Sequence, residues 1–167
     1  MSAPWRALLA LIGDLLRLRR GPQDVPYSPS VLLLSLLPYM LLSSALASFV
    51  MPAQQALWYG PAEGALLAAL VYAVLALRRR PARFVQTLTA LLLVGVAFNA
   101  LSLPLTALAR PENGLGLLIL LLVGWSFAVS VHILRQALDI PVPASVLVNI
   151  GFFLVAYYGL GTLFGLL

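Results

Sequence analysis

An all-helical bundle of five transmembrane spans, preceded by an amphipathic interfacial helix, is the fold this sequence predicts, and three observations predict it. Hydrophobic residues make up 62% of the 167-residue chain and charged residues only 9%, whereas a water-facing surface ordinarily needs about 25%. The apolar residues gather into five long segments separated by proline and glycine. The ten basic residues are all arginine and fall almost wholly in alternate gaps between those segments, the pattern that the positive-inside bias produces.

Residues 1–26 read as an N-terminal helix and linker. Trp5, Leu8, Leu9, Ile12, Leu15 and Leu16 recur at helical spacing and form one apolar stripe. Arg6, Asp14, Arg17 and Arg20 fall mainly on the other side, with Arg19 intruding near the end. The apolar run is interrupted at Asp14 and lacks a small-residue cleavage site, so it is not read as a removable signal peptide. A helix lying in the cytoplasmic interface, its arginines toward anionic head groups, is the expectation.

Residues 27–167 read as the transmembrane domain, with spans at 28–50, 62–77, 84–109, 115–138 and 144–167. A span needs about 20 apolar residues, and the second is short. It either crosses with little tilt or begins earlier, around Ala56 and Trp58. Pro52 and the Gly60-Pro61 pair are expected to end the first hairpin, and Pro81 to open the third span. Pro111 with Gly114, and Pro141 with Pro143, mark the later breaks, because proline lacks the amide donor of a continuing helix.

Orientation follows from the arginines. Arg6, Arg17, Arg19 and Arg20 precede the first span, Arg78, Arg79, Arg80 and Arg83 follow the second, and Arg135 ends the fourth; only Arg110 falls on the opposite side. The bias then puts the N-terminus in the cytoplasm and the C-terminus in the periplasm. The exclusive use of arginine is a habit of GC-rich bacterial genomes, so the expected location is a bacterial inner membrane. A net charge of +5 would suggest nucleic acid in a soluble domain, but these charges flank apolar segments and serve topology. No nucleic-acid partner is expected; membrane lipids are. Arg17, Arg19, Arg20 and the Arg78–Arg83 cluster are topogenic or meet lipid head groups. The chain has no cysteine, which excludes disulfide, thiolate and iron–sulfur chemistry through this chain alone.

Polar groups inside spans are the usual pointers to function. Gly95, Asn99, Ser102 and Thr106 share one helical face around Pro104. They form either a polar seam lining a path or the small-residue, hydrogen-bonding glue of a helix–helix interface. The lack of an accompanying carboxylate within a span favours glue. Gly124 and Ala128 suggest close packing of the fourth span, and Gly161 with Gly165 matches a helix-dimer spacing. His132, the only histidine, is either an axial haem ligand or, more ordinarily, an interfacial hydrogen bonder. Asp139 lies four residues after Arg135 and reads as its ion-pair partner. Glu63 and Glu112 are placed near helix N-termini, where an acid complements the helix dipole. No cofactor, metal site or catalytic constellation is expected.

The layout resembles the Yip1-domain family of small five-helix membrane proteins. The resemblance rests on the Arg19-Arg20-Gly21-Pro22 segment, five closely spaced spans, and the Arg78–Arg83 loop followed by Phe84-Val85-Gln86-Thr87-Leu88. The Asp-Leu-Tyr-Gly-Pro motif of eukaryotic members does not precede the first span. Membership implies a non-enzymatic scaffold or accessory subunit that binds other integral membrane proteins or itself. The alternatives are a small transporter or channel component acting as an oligomer, and a cofactor-bearing subunit through His132.

Overall fold

The structure, a computed structural model, describes residues 3–110 and 112–167, and for residues 3–5 the backbone alone. Six α-helices account for most of it: α1 (Ala3–Leu16), α2 (Pro29–Ala47), α3 (Ala53–Leu77), α4 (Phe84–Leu108), α5 (Leu115–Leu138) and α6 (Val142–Leu163). Short 3₁₀ turns at Pro22–Asp24 and Pro81–Arg83 precede α2 and α4. The helices α2 to α6 are each long and apolar enough to cross a membrane.

Those five helices close into a ring in the order α2, α3, α6, α5, α4, with α4 also touching α3 and α1. The surroundings of α4 explain its burial: every residue from Thr87 to Val94 is closed to solvent. Outward faces are the reverse of a soluble protein. Leu33, Leu34, Leu37 and Leu41 of α2, and Leu117, Leu120 and Leu121 of α5, are each more than 60% exposed. Isolated exposed leucines are ordinary, but apolar exposure this extensive is rare among monomeric soluble domains.

Packing is tight at the arginine-rich end. Leu15, Val25, Val71, Leu75, Leu92, Ile133 and Leu138 are all at most 1% exposed. There Leu11 and Leu15 of α1 are buried, while Arg6 and Arg17 are exposed, and Trp125 Nε1 of α5 donates to the Leu16 carbonyl at 3.1 Å. The following turn is held by Asp24, whose carboxylate accepts from Gly21 N at 2.9 Å. Gln86 Nε2 donates to the Val25 carbonyl at 2.8 Å. Trp5, assigned to the apolar stripe, has a side chain outside the described residues.

The first span ends at Ala47, three residues short of its expected bound, and two further boundaries differ from expectation. The helix α3 begins at Ala53 and runs straight through Gly60 and Pro61, so the first hairpin turns only at 48–52. The reason is a partner on α2. Pro61 cannot donate to the Leu57 carbonyl four residues earlier, and Ser44 Oγ takes that place, donating to Leu57 O at 3.2 Å. The same hydroxyl accepts from Gly60 N at 3.2 Å. A neighbouring helix thus satisfies what proline leaves open, the usual way proline persists within membrane helices. Gly60 permits the approach: a Cβ there would stand 2.8 Å from the Met40 carbonyl carbon and 2.6 Å from Ser44 Oγ. The other difference is α6, which starts at Val142 and stops at Leu163; Gly165, at φ +66°, lies beyond it. Gly161 and Gly165 therefore do not share a helical face.

Candidate functional site

The longer α3 changes the place of Glu63. It is not near a helix N-terminus: it sits ten residues into α3, about 15 Å along the axis at 1.5 Å per residue, and about 21 Å from the Leu77 end. Glu63 points into the ring. Tyr39 and Ser43, one turn apart on α2, line the same hollows as its carboxyl group. The Tyr39 ring is set by Gly95 of α4, where a Cβ would meet Tyr39 Cε2 at 2.5 Å. Ser43 is fixed from the same helix, because Asn99 Nδ2 donates to Ser43 Oγ at 3.0 Å.

Three hollows meet at this carboxyl group. The largest, about 380 Å³, is the interior of the ring and receives residues from all five helices. Its polar wall comprises Glu63, Tyr39, Asn99, Ser126, Ser130 and Asn149; the remainder is apolar, including Phe98, Phe152 and Phe153. Two smaller hollows, about 260 and 270 Å³, lead from Glu63 past Tyr59 toward the α2–α3 turn and residues 166–167. Among the described residues, no basic side chain lines any of the three. Glu63 is only partly accessible, and its access comes through these hollows.

The opposite direction is closed. Leu91 and Leu134 line the inner end of the central cavity. One turn further, Thr87 and Ala137 line a separate hollow of about 420 Å³ at the arginine-rich end. On α4, Leu88 lies between these levels and is buried, and on α5 Leu134 is itself closed to solvent. Side chains from two helices thus stand between the two hollows.

The residues singled out in the sequence divide accordingly. Gly95 and Asn99 of the seam meet α2 beside the carboxyl group; Ser102 and Thr106 are half-buried farther along α4. A carboxylate does accompany the seam, contrary to expectation, because it arrives from α3. A Cβ on Gly124 would have nothing within 4 Å, Ala128 is half-buried, and Gly161 is covered by the Leu167 side chain. His132 Nε2 lies 2.7 Å from Gln136 Nε2 and 3.2 Å from the Arg20 carbonyl, tying the linker to α5. The Asp139 carboxylate bonds Arg80 at 3.0 Å, not Arg135. Arg83 donates to the Gln136 and Ala137 carbonyls, where a cation complements the C-terminal end of α5. Arg20 pairs with Asp14 at 3.2 Å; Arg17, Arg19, Arg78 and Arg79 are exposed. Glu112 is exposed, and the neighbouring turn is held by Asn113 through Arg110 N and Leu115 N.

Glu63, Tyr39, Ser43 and Asn149 were not grouped by sequence reasoning. A signal for α3 existed: Ala56, Gly60 and Gly64 step by four residues across the proline, as one buried stripe of a continuous helix would. No protein-family model, curated protein or solved structure matches the chain.

Proposed function

We propose that this chain is a multi-pass integral membrane protein that takes up a cation at Glu63 and works, as an oligomer, as a component of a membrane transport system. One observation carries the reading: a carboxyl group in the middle of a membrane-length helix opens on cavities that no described basic side chain lines. A charged side chain at the bilayer centre costs about 2.5–3.5 kcal/mol on insertion scales, so it persists where it is paired, neutralised or used. With no arginine in reach among the described residues, a proton or a bound cation is the neutralising partner. The arginine distribution supports a cytoplasmic N-terminus and an inner-membrane location. On that orientation Glu63 communicates with the periplasmic side, and Leu88 and Leu134 help close the cytoplasmic side.

The test is carbodiimide labelling of the full chain in mild detergent, mapped by mass spectrometry. Dicyclohexylcarbodiimide should modify Glu63, and addition of a cation that binds there should suppress the modification. Labelling of Glu63 that sodium, potassium and organic ammonium ions all fail to suppress at fixed pH would refute the proposal.

The scaffold role implied by the resemblance to the Yip1-domain family is the second reading. It is favoured by a different feature, an apolar outer groove of about 600 Å³ between α4 and α5, lined by Leu101, Pro104, Leu105, Leu118, Leu121 and Trp125. Mild-detergent copurification with other membrane proteins would support that role.

A further inference from the structure

We infer that the cation is a protonated lipophilic amine, held through its N–H groups by Glu63 and by the side-chain carbonyl oxygens of Asn99 and Asn149; the inference rests on the cation-binding reading of Glu63. The two asparagines are oriented by their neighbours. Asn99 spends its amino group on Ser43 Oγ at 3.0 Å, and Asn149 donates Nδ2 to the Phe127 carbonyl at 3.3 Å. Among the described residues no donor reaches Oδ1 of either, while both side chains line the same cavity as Glu63. The cavity therefore presents a carboxylate and two open carbonyl acceptors from three different helices and, among the described residues, no charged donor to meet them.

The rest of the wall selects against a bare metal ion. Hard divalent cations are held chiefly by carboxylates, whereas Glu63 is the one carboxylate on this wall among the described residues and much of the surface is Leu66, Leu67, Leu70, Phe98, Phe152 and Phe153. Such a wall suits an apolar body, and aromatic rings attract an ammonium group as well. The volume, about 380 Å³, falls within the range of small-molecule sites, roughly 300–1,000 Å³. A protonated amine with a hydrocarbon or aryl tail satisfies all three features at once: charge for Glu63, N–H donors for the asparagines, and apolar surface for the wall. A quaternary ammonium ion satisfies only the first and third.

The experiment is titration calorimetry of the full chain in detergent with 4-phenylbutylamine, its N,N,N-trimethyl analogue, 4-phenylbutanol and sodium chloride. The primary amine should bind, with the trimethyl analogue weaker by tenfold or more and the alcohol not measurable. Glu63→Gln should weaken the amine at least tenfold, and Asn149→Leu several-fold with a reduced preference over the trimethyl analogue. The ligand series on the unaltered chain keeps the test decisive if a variant fails to fold. Equal affinity for the primary and quaternary ions overturns the role of the carbonyl acceptors. Glu63-dependent binding of sodium without the amine overturns the inference while leaving the cation-binding reading intact. Absence of Glu63-dependent binding of every cation overturns both.

Discussion

Replacing Gly60 by alanine tests the contact on which the position of α3 depends. A methyl group there would stand 2.8 Å from the Met40 carbonyl carbon, and carbon atoms pack at about 3.5–4.0 Å. The helices α2 and α3 must then part by roughly 0.7 Å or more. The clash is with backbone, so no rotamer change relieves it. Parting also stretches both Ser44 bonds, now 3.2 Å each, beyond hydrogen-bond length. Overpacking costs about 1–3 kcal/mol, and interhelical hydrogen bonds in membranes average about 0.6 kcal/mol each. Against this, alanine gains about 1 kcal/mol over glycine in helix propensity. The balance of these three contributions is a loss of about 2 kcal/mol for Gly60→Ala. Gly64→Ala is the internal control, because its nearest neighbour is the flexible tip of Met40 at 3.1 Å. That tip can swing aside, leaving the propensity gain to dominate. Unfolding by sodium dodecyl sulfate in mixed micelles, followed by circular dichroism, gives both values. Equal stability of the two variants would refute the close approach of α2 and α3 at Gly60, and with it the position of Glu63.

Ser44→Ala should destabilise the bundle by about 1 kcal/mol in the same assay. The loss should be smaller in a chain that also carries Pro61→Ala, since alanine at that position supplies the Leu57 carbonyl with an in-helix donor. Purely additive effects would show that Ser44 does not substitute for the missing proline N–H. Arg79 adopts φ +56° at the end of α3 with its side chain exposed, a conformation that costs a non-glycine residue about 1–2 kcal/mol. Arg79→Gly should therefore raise the unfolding midpoint slightly, and a clear loss would contradict the left-handed geometry there.

The helices were legible from the sequence wherever the apolar runs decided them. The predicted bounds of the third and fourth spans, 84–109 and 115–138, match α4 and α5 to within a residue, because an arginine–proline cluster and a glycine interrupt the runs abruptly. Gly60-Pro61 misled for a physical reason. Proline ends a helix when its orphaned carbonyl finds no donor, and the donor here is Ser44, contributed by a different helix. Sequence-local rules cannot see that partner. The misplacement of Glu63 followed directly, since a helix starting at Ala62 makes residue 63 a terminal acid instead of an interior one. Asn99 was legible as a helix-to-helix hydrogen bonder, but its partner Ser43 was not. The αL termini at Leu18, Arg79 and Asp139 carried no glycine to announce them.

The two ends of the bundle differ in what lines their hollows, and that difference gives the site its physical logic. At the arginine-rich end, α4 is enclosed over two turns by leucine, isoleucine and valine of its neighbours, and the hollow of about 420 Å³ there is lined by Arg83 and Arg135 as well as Asp139. That end also holds the ion pairs Arg20–Asp14 and Arg80–Asp139 and the Arg83 contacts to α5, so it is fastened by both apolar and polar contacts. Toward the other end the same helices are spaced by Gly60, Gly64 and Gly95, which bring α2 close to α3 and α4 on one side. The ring stays open opposite that seam, and its interior is left to Glu63 and the two asparagines. The hollow of about 380 Å³ is apolar over much of its wall, yet its polar groups come from all five helices. A hollow that presents a carboxylate and two asparagine carbonyl groups, with no basic side chain on its wall among the described residues, is explained if a ligand supplies the charge and the donors, as Arg83 and Arg135 supply them at the other end.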